Sequence, residues 1–228
     1  MDFEQFEKKI GVSFKNKGLL KQAFTHRSFI NENKRMTLEH NERLEFLGDA
    51  VLELVSTVYL YKKYPNKNEG DLTSYRSALV NAIILSSIAV ELNMDDFLLL
   101  SKGESKDKGK ARQIILANTM EALIGAIFLD QGYKEAENFI NKYITPHIDD
   151  IVVKGTWIDA KSLFQEKSQE IEGITPMYKV SKELGPDHDK FFTVGVYLRD
   201  ALIASGDGKS KQEAEQKAAE NGLKKKGW

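Results

Sequence analysis

The fifteen-residue stretch Asn41–Val55, NERLEFLGDAVLELV, constrains this chain more than any other. Placed on a helix at 3.6 residues per turn, Glu42, Glu45 and Asp49 fall at i, i+3 and i+7, within an arc of about 60°. Leu44, Leu47, Val51, Leu54, Val55 and Val58 take the opposite side. A plain surface helix with acids outward gives the same pattern, so spacing alone leaves both readings open. Two details sharpen the reading as a site, although periodicity by itself favours the plain helix. Phe46 and Leu52 sit on or beside the acidic side, where a solvated face would carry Lys or Gln. Gly48 interrupts a helix interior at a cost of about 1 kcal/mol relative to Ala, which calls for close approach of another backbone. Acids set among apolar groups are partly desolvated and repel one another unless a cation lies between them. Oxygen ligands of this kind suit Mg2+ or Mn2+.

The 228 residues suffice for one large domain or two smaller ones, with 41% hydrophobic and 29% charged residues. The chain has no Cys, which excludes disulfides and thiolate metal sites and fits a reducing compartment. The opening MDFEQFEKKIGVSF is charged, and no run of 18 apolar residues occurs, so a cytoplasmic protein is expected. Net charge is −1, and residues 156–228 hold 12 basic against 12 acidic residues. Any affinity for nucleic acid must therefore come from the placement of charge and not from its sum.

Residues 1–155 read as helical. Phe3, Phe6, Ile10 and Phe14 recur at near-helical spacing, and Leu19, Leu20 and Phe24 open a second segment. His26, in THRSF, reads as a structural histidine, and His40 as a surface or capping residue. After the acidic helix, YPNKNEGDLT forms a turn in which Asp71 or Thr73 can cap the next helix. Leu72, Leu79, Ile83, Ile84 and Ile88 give that helix a buried side. Ser101–Gln113 is Gly- and Lys-rich, with five basic and two acidic residues, and reads as a solvated loop or one that orders against phosphate. An apolar helix, Ile114–Leu129, carries Asn118 and Glu121 at i and i+3. Polar groups so placed need a partner, because an unpaired buried charge is very costly. The simplest partner is a cation shared with Glu45 and Asp49. A further helix is expected over about Lys134–Ile148.

The pattern changes class near Ile151–Thr156. Beyond it come an amphipathic helix (Ala160–Gln169), two alternating strands (Met177–Glu183 and Phe191–Leu198) joined by GPDHDK, a third strand (Ala201–Ser205), and a helix from Ser210 to about Lys225.

NERLEFLGDAVL resembles, nearly letter for letter, the signature of the bacterial ribonuclease III family. THRSF (Thr25–Phe29), EGDLT (Glu69–Thr73) and EALIGAIFLDQG (Glu121–Gly132) follow in the family's order. The helix–three strands–helix pattern at the end resembles a double-stranded-RNA-binding domain. The resemblance implies a multidomain chain: an all-α endonuclease domain (1–151), a linker (152–157) and an α+β binding domain of α-β-β-β-α order (158–228). It also implies a metal-dependent endoribonuclease that leaves 5′-phosphate and 3′-hydroxyl ends with short 3′ overhangs. Substrates would be ribosomal RNA precursors and structured messenger RNA, with neither a membrane partner nor a small-molecule substrate.

Carried over position by position, Glu45, Asp49, Asn118 and Glu121 correspond to metal ligands, with Mg2+ as the cofactor and Mn2+ as a substitute. Asp49, Glu121, Glu42 and Glu69 correspond to the catalytic acids. Phe46 corresponds to a residue that enters a socket on a second subunit of a homodimer. For the RNA duplex, the matching positions are Gln165, Glu166 and His188 at the minor groove, and Lys209, Ser210, Lys211, Gln216 and Lys217 at phosphates.

Two positions depart from the family. Gln212 stands where a second basic residue is common. Asn118 stands where the family typically has Asp; an amide offers one neutral carbonyl oxygen and gives up a charge and bidentate ligation. The alternative reading that follows is a catalytically weakened duplex-RNA-binding protein.

Overall fold

The computed structural model describes residues 3–34, 38–155, 157, 159–186 and 190–228. Its helices are α1 (Phe3–Ile10), α2 (Lys17–Ala23), α3 (Arg27–Glu32), α4 (Glu42–Lys63), α5 (Glu69–Leu79), α6 (Ala82–Glu91), α7 (Lys110–Gln131), α8 (Tyr133–Tyr143) and α9 (His147–Lys154). A second set follows: α10 (Ala160–Glu172), β1 (Met177–Leu184), β2 (Phe191–Leu198), β3 (Ala201–Gly208) and α11 (Lys211–Lys226). The chain divides accordingly into two compact units, Met1–Trp157 and Ile158–Trp228.

In the first unit α7 is the central element. It is long and apolar enough to match a membrane span by composition, yet most of it is buried inside the fold. Against it packs α4, through Leu44, Val51, Leu52 and Val55, all buried. Four rings, Phe3, Phe6, Phe24 and Phe97, close one end with centroids 5.0–6.0 Å apart. His26 is structural: its ring accepts from Ser28 N at 3.3 Å and caps α3.

Several boundaries differ from the sequence reading. The helix expected after the turn at 64–73 is two helices, because Asn81 stops the first and caps α6 by accepting from the amides of Ile83 and Ile84. Ile83 is consequently exposed, not buried. The cap of α5 is Asn68, whose side chain accepts from Asp71 N, and not Asp71 or Thr73. Helix α7 begins at Lys110, so part of the Gly- and Lys-rich segment is helical. The helix expected over 134–148 breaks between α8 and α9, where Pro146 lacks an amide hydrogen and forces a restart. Residues 152–154 complete α9 and are not extended spacer, and Gly155 ends it in the left-handed conformation. Trp157 meets Tyr75 edge-on at 4.7 Å and so belongs to the first unit.

In the second unit the three strands pair antiparallel in the order β1-β2-β3, with a register irregularity in each pairing. Alternate β2 residues, Phe192, Val194, Val196 and Leu198, are buried. Ala160, Phe164, Ala218, Ala219 and Leu223 of α10 and α11 cover Val196 and Leu198.

Candidate active site at the crossing of two helices

The crossing of α4 and α7 is fixed by two glycines. A Cβ on Gly48 would overlap the Glu121 carbonyl oxygen and lie 2.9 Å from Gly125 N. A Cβ on Gly125 would overlap the Leu44 carbonyl oxygen. The backbones therefore touch, as a glycine inside this helix implies. Glu45 and Asp49 flank Gly48 on α4, and Asn118 stands one turn before Glu121 on α7. Backbone contact at 48 and 121 brings Glu45 and Asp49 within electrostatic reach of Glu121.

Their electrostatics record the convergence. Glu121 is pushed up to about 7, first by burial and then by the charges of Asp49 and Glu45. Glu45 is raised by burial, by Glu42 and by Asp49, and is pulled back by a hydrogen bond from the Asn118 side chain. Asp49 is raised by burial and by Glu53, one turn further along α4. Desolvation and like charge both disfavour the ionised forms, and a cation among the three carboxylates would reverse both effects. The donor set of carboxylates and one amide oxygen, without sulfur or imidazole, fits a hard divalent cation. Among the described residues, no three or more His, Cys, Asp or Glu side chains are grouped tightly enough to hold a metal. Mutual repulsion is the relation that the three acids share here.

Of the two remaining acids, Glu42 borders this set through Glu45, and Glu69 lies away from it. Glu42 is exposed, with Arg27 Nη1 at 3.6 Å and His40 Nδ1 at 3.7 Å. Sequence reasoning missed both partners, although THRSF and the residue before the acidic helix hold them. Glu69 lines a groove of about 470 Å³ with Thr57, Tyr61, Lys67 and Arg76. Tyr61 is about 18 Å further along α4 than Asp49, at 1.5 Å per residue. Within one protomer Glu69 does not join the crossing. Phe46 is 81% exposed and borders a second groove, of about 570 Å³, with Glu42, Leu47 and Leu129.

In the second unit Gln165 and Glu166 are exposed on α10, and Lys209, Ser210 and Lys211 are exposed where α11 begins. Ser210 Oγ accepts from Glu213 N at 3.1 Å and Glu213 accepts from Lys209 N at 2.8 Å, a reciprocal cap, and the Lys211 ammonium lies 5.7 Å from the centre of the Phe192 ring. Lys217 pairs with Glu220 at 2.8 Å. Gln216 has partners inside the domain that the sequence does not reveal: its amide donates to Asp159 at 2.6 Å and accepts from Lys161 N at 3.3 Å. Any phosphate contact by Gln216 competes with those bonds. His188 lies outside the described residues.

Residues 16–148 match the Ribonuclease-III-like family, and residues 160–226 match the double-stranded RNA binding motif. The chain is 44% identical over 220 residues to Ribonuclease 3 of Borreliella burgdorferi, covering 96% of this chain and 89% of that protein. It is 45% identical over 223 residues to Ribonuclease 3 of Bacillus licheniformis, covering 98% and 89%. Among solved structures, the nuclease domain of ribonuclease III from Campylobacter jejuni superposes with a TM-score of 0.58 at 42% identity, over 64% of this chain and 97% of that one.

Proposed function

The chain belongs to the ribonuclease III family, and from that premise we propose that Glu45, Asp49, Asn118 and Glu121 hold Mg2+, with Mn2+ as a substitute, for hydrolysis of RNA duplexes. It is a double-stranded-RNA endoribonuclease with its own duplex-binding domain, of a family that is metal-dependent in general. The observation that supports the site assignment is the backbone contact of Gly48 with Glu121, beside which Glu45 and Asp49 raise the proton affinity of Glu121.

Bound there, a divalent cation supplies an activated water and neutralises charge on the scissile phosphate. The chain's own residues do the rest. Glu45 and Asp49 present oxygens from α4, and Asn118 and Glu121 present them from α7. The half-buried carboxyl of Glu121, with its raised affinity for protons, is suited to holding a proton near neutral pH when no cation is present. Glu42 extends the acidic surface toward Arg27 and His40. Products carry 5′-phosphate and 3′-hydroxyl ends with short 3′ overhangs, and the RNAs are ribosomal precursors and structured messengers in the cytoplasm.

We further read the working form as a homodimer. Two strands need two sites related by a two-fold axis, and Phe46 offers an exposed aromatic ring beside the acids. The Campylobacter jejuni nuclease domain has a region involved in dimer formation, and that region shows structural flexibility. Glu69, remote from the crossing in its own protomer, is then available elsewhere in the dimer. Gln165, Glu166, His188, Lys209, Ser210, Lys211, Gln216 and Lys217 are assigned to the RNA duplex, which such a domain reads by shape over about 16 base pairs.

Incubation of a long RNA duplex with the protein and Mg2+ tests this reading. Short products with 3′ overhangs are expected. An intact but retarded duplex would support the alternative, a binding protein weakened by Asn118, which full-length similarity to ribonucleases does not favour.

A further inference from the structure

Trp157, the last residue of the first unit, is docked on that unit's own core. Its ring meets Tyr75 edge-on, with centres 4.7 Å apart and planes at 88°. Tyr75 is fully buried and packs against Tyr64 at 5.1 Å, so it cannot follow a ring that leaves. The Lys67 ammonium, paired with Asp71 at 3.3 Å, lies 5.8 Å from the centres of both the Tyr75 and the Trp157 rings. An aromatic edge contact and a cation at the ring face thus hold Trp157 in place. Two positions on, Asp159 is fixed inside the second unit. Its carboxylate caps α10 by accepting from the amides of Lys161 at 3.1 Å and Ser162 at 3.4 Å. It also accepts from Ser162 Oγ at 2.8 Å and from Gln216 Nε2 at 2.6 Å. In the chain only Ile158 stands between these two anchored residues, where a spacer over 152–157 was expected.

We propose that Trp157 is a positioning residue for duplex cleavage: docked on Tyr75, it fixes the point where the tether of the binding domain leaves the nuclease unit and keeps that tether short. From Trp157 to Asp159 the chain has two peptide units, which span at most about 7 Å. Without the dock, the next firm point upstream is Gly155, whose amide bonds to the carbonyls of Ile151 and Val152 and closes α9. The tether then runs over four peptide units, from Gly155 to Asp159. Effective concentration falls as about the −3/2 power of tether length, so this doubling lowers it roughly threefold. Neither unit loses a contact with RNA in the process. The penalty arises only when both engage one duplex, which makes it a matter of substrate capture and not of the chemical step. The inference rests on the reading of the chain as a duplex-cleaving enzyme with its own binding domain.

The test is steady-state cleavage of a long RNA duplex in millimolar Mg2+ by four full-length proteins. They are the wild type, Trp157→Ala, Trp157→Phe, and a chain with Gly-Ser inserted between Trp157 and Ile158. The insertion leaves Trp157 on Tyr75 while giving the tether the length it has when undocked. Trp157→Ala and the insertion are each expected to raise KM about threefold with kcat unchanged. Trp157→Phe, which keeps an aromatic edge on Tyr75, should stay near the wild type. An unchanged or lowered KM for Trp157→Ala overturns the proposal. So does a rise that the insertion fails to reproduce, which would make Trp157 a stabiliser of the first unit and nothing more. If Trp157→Ala does not fold, the insertion decides alone: a threefold higher KM supports the proposal and a wild-type KM overturns it. The reading as a duplex-cleaving enzyme is judged separately, by whether the wild type cuts the duplex at all.

Discussion

Gly48 and the backbone carbonyl of Glu121 are in contact, so that no side chain fits between α4 and α7 at that point. Gly48→Ala must push the helices apart or distort one of them, at a cost of about 1–3 kcal/mol for an overpacked core. Because Glu45, Asp49 and Glu121 lie beside this contact, cleavage should fall with stability. Denaturant unfolding and a duplex-cleavage assay check both. A Gly48→Ala protein with unchanged midpoint and rate would mean that the backbones are further apart than described.

Glu121 has its affinity for protons raised from an ordinary 4.5 to about 7, and Glu45 and Asp49 shift the same way. Between those pH values the folded chain binds more protons than the unfolded one, so stability falls as pH rises from about 4.5 toward 7. Melting temperatures in EDTA across that window should show the decline, and Glu121→Gln should flatten it. A wild-type profile no steeper than that of Glu121→Gln would count against the repulsive cluster.

Phe46 is almost fully solvated in the single chain. Phe46→Ala should therefore leave the unfolding free energy of one chain within about 0.5 kcal/mol of the wild type. It should nonetheless weaken self-association. Sedimentation velocity at micromolar concentration is expected to give a dimer for the wild type and a shift toward monomer for the variant. A monomeric wild type would rule out the homodimer.

Lys209 and Lys211 are exposed at the start of α11, with no ion pair among the described contacts, and Lys211 lies over the Phe192 ring. Replacing both by Ala should weaken binding to any duplex sequence alike and reduce the salt slope of log K by about 2, one unit per phosphate contact. Lys217→Ala should do less, since Glu220 already shares its charge. Titrations of a short duplex at several salt concentrations give these slopes.

The two-part architecture, helical and then α-β-β-β-α, was legible in spacing and alternation, and the sequence also holds signals that point to a site. Glu45 and Asp49 share a helix, so their spacing shows them side by side. Gly48 signals the crossing because a glycine in a good helix has few other reasons to be there. The partner at that crossing is legible only through the polar pair Asn118 and Glu121 on an otherwise apolar segment.

What stayed hidden depends on geometry that no local pattern encodes. Asn81 and Pro146 divide helices whose apolar spacing runs on regardless. Ile83 and Leu54 fit a buried stripe by period but are exposed. Gln216 looks like a phosphate ligand until α10 is folded against α11, which gives its amide Asp159 and Lys161 instead. Arg27 and His40 meet Glu42 only once α3 and the start of α4 are in place.

Cleavage, on this reading, depends on oxygens from α4 and α7 holding one cation jointly. Anomalous diffraction from a crystal soaked in Mn2+ measures this directly. A peak ligated by Glu45, Asp49, Glu121 and the carbonyl oxygen of Asn118 is expected. A protein that cleaves duplexes while its Mn2+ peaks lie only away from these four residues would contradict it.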